Sequence, residues 1–352
     1  MDPAETAAAY ERAGGSGGGR ATLLRRSAGL AACVALLLLA VLASLAIGSQ
    51  PIAPGTVLRD LLHNDGSNDA LIIRGLRLPR TALGLAVGAA LGLAGALMQA
   101  VTRNPLADPG LLGVNAGASA AVVIAIAVLH LTSQGADTWF ALAGAGIAAV
   151  LVHLLGSRGP RGTAPIRLAL AGATVSAILG AVVSGLVLAD STAFNDFRFW
   201  SVGALAGRPV SVLWQTGVFM LIGALIALPL AGSLNALALG EETGRSLGAR
   251  PGRTGVLSLL AVTLLCGGAV AAAGPIGFVG LAVPHAARQF TGPDHRWLLP
   301  YTMVLAPVLL LGADVVGRVI APPGEVDVGI ITAFVGAPVF ILLARRRRVA
   351  RA

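Results

Sequence analysis

Between residues 28 and 344 the chain is a succession of apolar windows broken by short polar turns, and this pattern constrains its fold more than any other feature. At a rise of about 1.5 Å per residue, a helix needs about 20 apolar residues to cross a hydrocarbon layer of about 30 Å. Windows of that order lie at 28–48, 80–102, 111–131, 139–156, 168–189, 211–232, 254–273, 276–290, 297–320 and 328–344. They predict an all-α polytopic membrane protein with ten transmembrane helices. The window at 276–290 is short and contains Pro284, so it is expected to be tilted, broken or shielded by its neighbours. The first window exceeds the core of about 7–15 residues found in secretory signals and no clean cleavage site follows it, which reads as an uncleaved first span. Ahead of it, residues 1–27 are rich in Gly and Ala without apolar periodicity and are expected to form a disordered cytoplasmic tail. Residues 28–348 then form the transmembrane domain and 349–352 a short C-terminal end.

Composition agrees with residence in a bilayer. Only 12% of residues are charged and 56% are hydrophobic, with a mean hydropathy of +0.83, whereas a soluble domain carries about 25% charge. All 25 basic residues are Arg, and the chain contains no Lys. A phosphate-binding loop of the Walker type and Schiff-base chemistry both need that amine, so any ATP use must reside on a partner chain. Nucleic-acid binding is a poor fit to the isoelectric point near 11.3, because the arginines are scattered between apolar stretches and only 4% of residues are aromatic. Cys33 and Cys266 lie far apart inside apolar runs and support neither a disulfide framework nor a metal site.

The arginines orient the chain. With ten spans and the N-terminus inside, 18 of the 25 fall on the cytoplasmic side, and the other seven, Arg59, Arg74, Arg77, Arg80, Arg198, Arg208 and Arg318, fall outside. An even number of spans returns the Arg345–Arg348 cluster to the side of the N-terminal tail, so both termini are expected to be cytoplasmic. Gly84, Gly88, Gly92 and Gly95 in the second span are expected to let helix backbones approach closely.

Four segments depart from plain apolar helix. Arg74, Arg77 and Arg80 recur at a spacing of three, which on a helix lines them along one face. They read either as snorkelling side chains or as a cationic dock for carboxylates of an outside partner. In 103–110 (RNPLADPG), Asn104, Pro105, Asp108, Pro109 and Gly110 compose a rigid turn. In 239–248 (LGEETGRSLG), Glu241 and Glu242 precede Arg245, an order that suits a helix dipole. That stretch is either a solvated helix or a grip for a cytoplasmic motor. In 274–300, His285 and His295 lack the paired spacing of a metal site. Asp314 is the only carboxylate within a window, which weighs against an ion-coupled carrier, and no catalytic set converges.

Six motifs in register make a resemblance visible: RLPR at 77–80, NPLADPGLLGV at 104–114, ALGEE at 238–242, GPIGFVGLAVPHAAR at 274–288, GPDHRWLLP at 292–300 and VGIITAFVGAPVF at 328–340. Together they resemble the FecCD family, permease subunits of ABC importers for ferric siderophores, haem and cobalamin, over about residues 28–348. The resemblance implies a type II ABC importer permease-like fold in a bacterial cytoplasmic membrane. It implies pairing with a second permease copy or paralogue, two ATPase subunits inside that bind the ATP, and a substrate-binding protein outside. The chain itself is then not an enzyme and needs no cofactor. Matching by motif implies binding-protein docking at Arg77, Arg80 and Arg318. It also implies a cytoplasmic coupling loop at 234–253, with Gly240, Glu241, Glu242, Arg245, Leu247 and Gly248 facing the ATPase. One departure is Glu325-Val-Asp327, where the family commonly has Glu-Leu-Pro, which leaves the start of the last helix open. The alternative readings are an ATP-independent carrier or exporter and a purely structural scaffold.

Overall fold

Stretches of Ala, Leu and Val form helices throughout the computed structural model, with no strand among the described residues, 17–48, 50–63, 66–131, 134–157, 165–321 and 324–349. In chain order these helices are α1 (Gly17–Ala46), α2 (Pro54–Leu62), α3 (Asn68–Ile72), α4 (Leu78–Val101), α5 (Val114–Ala127), α6 (Gln134–Ser157), α7 (Pro165–Ala189) and α8 (Ser191–Val202). There follow α9 (Val210–Ala227), α10 (Ala231–Ala238), α11 (Glu241–Ser246), α12 (Pro251–Ala273), α13 (Val279–Thr291), α14 (His295–Ile320) and α15 (Val328–Val349). α3 runs through a π-helical turn, Ile73–Arg77, directly into α4.

Among the described residues seven helices are long and apolar enough to cross a membrane: Thr22–Ala46, Asn68–Val101, Gly135–Ser157, Ile166–Ala189, Val210–Ala238, Pro251–Ala273 and His295–Ile320. The window at 111–131 holds a shorter apolar helix, Val114–Ala127, 276–290 holds the 13-residue α13, and 328–344 lies within the 22-residue α15. A helix of α5's 14 residues reaches only about 20 Å. α13 is shielded, as its Pro284 suggests: Val279, Gly280, Val283 and Pro284 are buried against α4 and α14.

The core is built on α4. A Cβ on Gly88 would lie 2.6 Å from Pro307 Cα of α14, and one on Gly92 would lie 2.6 Å from Thr302 O. Gly95 presses on the Gly280 carbonyl of α13, and Gly84 sits beneath Leu311. The four glycines form the expected seam, because small residues are what allow close helix contact in lipid. In consequence 78% of the apolar stretch within Asn68–Val101 is buried, against 11% of the more apolar stretch within Thr22–Ala46.

Two expectations need correction. Residues 17–27, assigned to a disordered tail, are helical and continuous with the first span. They are tethered as well: Arg26 Nη1 lies 3.3 Å from Asp294 Oδ2, and the Tyr301 hydroxyl donates to Arg26 O at 2.6 Å. Residues 1–16 of that segment and 350–352 of the C-terminal end lie outside the described residues. The polar connections are also more ordered than the windows suggest. Pro54 starts α2, and Asp190 Oδ1 caps α8 by accepting from Thr192 N at 2.7 Å and Ala193 N at 3.2 Å.

Candidate functional site

The end of α1 organises one end of the bundle. A helix leaves its last carbonyls without intrahelical partners, and these form the negative end of its dipole, so cations are drawn there. The Arg77 guanidinium donates to Leu45 O at 2.7 Å and to Ala46 O at 2.8 Å, and also to Gln50 O. Arg318 donates to Ser44 O at 2.7 Å and Ile47 O at 3.2 Å. Ser44 Oγ in turn meets Thr81 Oγ1 at 2.8 Å.

Asp314, one turn before Arg318, supplies the counter-charge. It accepts from Arg318 and from Arg80, whose Nη2 lies 2.8 Å from Oδ1, while Arg80 Nη1 reaches Glu325 Oε2 at 2.7 Å. Arg77, Arg80, Arg208, Arg318 and Glu325 line one cavity of about 870 Å³.

The structure therefore brings Arg77, Arg80 and Arg318 together but aims them differently from expectation. The π turn breaks the regular spacing: Arg74 goes to Asp60 O and Leu61 O of α2, both at 2.9 Å, Arg77 goes to α1 and Arg80 goes to α14. Arg77 is 6% exposed and Arg318 is 3% exposed, with their donors spent on their own chain. In this conformation they are rim-holding groups, and releasing them would strand buried carbonyls. This corrects the picture of three free outward cations. Arg80, 14% exposed, is held between Asp314 and the more exposed Glu325. Glu325 and Arg208 were not foreseen as members of this cluster.

At the other end, α11 carries Glu241, Glu242 and Arg245 as an exposed helix. Gly240 and Gly248 bracket it with φ of 110° and 87°, values that side chains rarely adopt. Arg245 Nη2 lies 3.5 Å from Glu241 Oε2, and Arg103 Nη2 lies 3.8 Å from Glu241 Oε1. Leu239 and Leu247 flank the helix at 67% and 63% exposure, so an apolar and charged surface is presented together.

The helix before this loop is tied into the bundle. Asn235 Nδ2 on α10 donates to Asp294 Oδ1 at 2.6 Å, and Asn235 Oδ1 accepts from the His295 backbone N at 2.8 Å. Burial alone would raise the Asp294 pKa, but hydrogen bonds from Asn235 and Arg296 N, with the Arg26 and Arg296 charges, hold it below the ordinary carboxylate value. Asn235 falls in the segment assigned to the coupling loop, and nothing local in the sequence marks it as this node.

The 104–110 turn is closed by two side-chain hydrogen bonds, with Ala107 and Pro109 buried and Asn104 exposed. Asn104 Oδ1 accepts from Leu106 N at 3.0 Å, and Asp108 Oδ1 accepts from Gly110 N at 2.8 Å. Pro109 begins a 3-10 turn, Pro109–Leu112, that abuts Gly280, while the carbonyl of Leu111 abuts Gly172. Burial raises the Asp108 carboxyl pKa above the ordinary range, against the hydrogen bond from Gly110. At the last helix, Asp327 stands where Pro was expected and starts α15 by its carbonyl, which accepts from Ile330 N at 3.0 Å.

Comparison with known proteins gives this arrangement a context. The ferric enterobactin transport system permease protein FepD of Escherichia coli (strain K12) is 47% identical over 312 residues, covering 89% of this chain and 93% of that protein. The Fe(3+)-citrate import system permease protein YfmD of Bacillus subtilis (strain 168) is 41% identical over 305 residues, covering 87% and 90%. A solved metal-chelate type ABC transporter in an inward-facing conformation superposes with a TM-score of 0.79 at 29% identity, covering 91% of this chain and 99% of that one. The FecCD transport family model matches residues 36–346. A multi-pass helical protein matched over nearly its whole length in this way belongs to the FecCD transport family.

Proposed function

We propose that the chain is the pathway subunit of an ATP-binding-cassette importer carrying an iron–siderophore or a related metal chelate such as haem or cobalamin. In this reading ten helices cross a bacterial cytoplasmic membrane with both termini inside, and the shorter α5 and α13 complete their crossings within the shelter of the bundle. A second permease copy or paralogue completes the path. Cytoplasmic ATPase subunits bind and hydrolyse ATP, which the chain, without lysine, does not do by a Walker loop. An extracytoplasmic binding protein docks on the arginine rim. There Arg80 makes the first contact, and Arg77 and Arg318 engage only if the rim opens.

The observation that carries this reading is the exposed α11 helix, with its acidic pair and its two exposed leucines, fixed at both ends by positive-φ glycines. A surface of that kind suits a cleft on a motor domain, whose closure would pull on α10 and, through Asn235 and Asp294, on α14. The pairing of Asp314 with two arginines supports the same reading against an ion-coupled carrier, since that carboxylate is already occupied. Uptake of a radiolabelled ferric siderophore into proteoliposomes decides the matter. Import is expected only with the ATPase, ATP and the binding protein all present, and import by the chain alone would overturn the proposal.

A further inference from the structure

Helix α4 ends in a closure that local chemistry would give to glycine. Arg103 N donates to Ala100 O at 3.3 Å and Asn104 N donates to Gln99 O at 3.2 Å, the paired bonds that finish a helix on a left-handed residue. Arg103 is that residue, at a φ of 49°. Glycine adopts this conformation freely, whereas a side chain is disfavoured there, so the arginine is held against local preference. Strain of this kind concentrates where a side chain has a functional role.

The side chain reaches α11. Its Nη2 lies 3.8 Å from Glu241 Oε1, and the other oxygen of Glu241 lies 3.5 Å from Arg245 Nη2. Glu241 is the first residue of α11, so the pair ties that helix by its leading end. Farther along, α11 rests on α10, where a Cβ on Gly244 would lie 2.9 Å from Leu237 Cδ2. A cavity of about 580 Å³, lined by Gln99, Val101, Leu237 and Glu241 among others, separates α11 from the end of α4, and the Arg103–Glu241 pair bridges it.

Behind Arg103 stands the helix on which the core is built. α4 runs for 24 residues, about 36 Å, from Arg80, paired with Asp314 at the rim, to the closure at Arg103. Along its length Gly88 and Gly92 press on α14 and Gly95 on α13. A helix packed this closely passes a displacement of its end to its neighbours as a rigid element.

We infer that Arg103 is a positioning residue of the import cycle, coupling α11 to α4 and so giving the motor a second attachment beside the route through α10, Asn235 and Asp294. The inference rests on the reading of α11 as the surface that the ATPase grips.

The test uses the chain assembled with its ATPase and binding protein in proteoliposomes, with ferric siderophore uptake and ATP hydrolysis measured together. Arg103→Gly keeps the closure, since glycine suits this φ, and removes only the charged side chain. An exposed ion pair supports an effect of about twofold to fivefold, and Arg103→Gly is expected to lower uptake per ATP hydrolysed by that factor. Arg103→Lys, which keeps the charge, is expected to hold the wild-type ratio. The isolated Arg103→Gly chain should unfold in SDS-containing micelles no more readily than wild type. A wild-type ratio in Arg103→Gly would overturn the inference. So would an equal loss in Arg103→Lys, or an Arg103→Gly chain less stable than wild type, which would mark a structural role. Import by the wild-type chain without the ATPase would instead overturn the import reading and this inference with it, so the two failures are distinguishable.

Discussion

Replacing Asp314 by Leu isolates what holds the rim. The carboxylate accepts from Arg80 Nε at 3.1 Å on both oxygens, from Arg80 Nη2 at 2.8 Å and from Arg318 Nε at 3.1 Å. Arg80 keeps Glu325 after the change, but Arg318, 3% exposed, is left as a buried cation with only neutral acceptors on Ser44 and Ile47. Stranding one partner of a buried pair costs about 3–5 kcal/mol. Arg318→Met removes the stranded charge and instead leaves Ser44 O unpaired, at about 1–3 kcal/mol. The double variant should therefore be more stable than the sum of the single losses by about 3 kcal/mol or more, nearly the whole cost of Asp314→Leu, because the charge that makes that change costly is gone. Reversible unfolding in mixed micelles of increasing SDS content, followed by far-UV circular dichroism, reads all three differences on the isolated chain. The reasoning fails if Asp314→Leu lies within about 0.5 kcal/mol of wild type, or if the two losses simply add.

Other outcomes follow from the same contacts. Gly88→Ala should cost about 1–3 kcal/mol or more in the same unfolding assay, because its Cβ would meet Pro307 backbone, while Gly75→Ala, with open space around it, should not show that loss. Asp294 has its pKa lowered on folding, so its contribution is full above the ordinary Asp value and is lost as pH falls through the native value. The difference in melting temperature between wild type and Asp294→Asn should accordingly hold steady above about pH 5 and shrink progressively as pH falls below the ordinary Asp value. Substituting Glu241 and Glu242 by Ala should leave the isolated chain as stable as wild type and lower binding-protein-stimulated ATP hydrolysis in the assembled complex; unchanged stimulation would remove α11 from the coupling surface. Arg80→Glu should weaken binding-protein docking in a pull-down at low salt, and undiminished docking would detach Arg80 from that role.

Much of the architecture was legible because it depends on local chemistry. Apolar windows of sufficient length become helices, Pro109 and Asp108 make a fixed turn, and Gly240 and Gly248 bracket a short polar helix. The destinations of the arginines were not legible. A spacing of three implies one shared face only while the helix remains regular, and the π turn at Ile73–Arg77 removes that condition. The partners are also remote in sequence: Arg80 meets Asp314 across 234 positions, and Arg318 meets Ser44 across 274. Gln99 within an apolar window and Asn235 just beyond one are amides whose partners nothing local in the sequence tells.

The sequence by itself determined that this chain lives among lipid, that its helices can pack closely along Gly84, Gly88, Gly92 and Gly95, and that it has no lysine for a Walker-type phosphate loop. Only the tertiary structure decided which helices are central. The apolar stretch of α1 stays at the periphery with 11% of it buried, whereas 78% of the apolar stretch that includes the glycine seam of α4 is buried. In a bilayer, exposing apolar side chains to lipid costs little, so hydropathy does not rank helices from inside to outside. Close backbone contact and the pairing of scarce charges do so instead, and both are settled between segments that the sequence holds far apart.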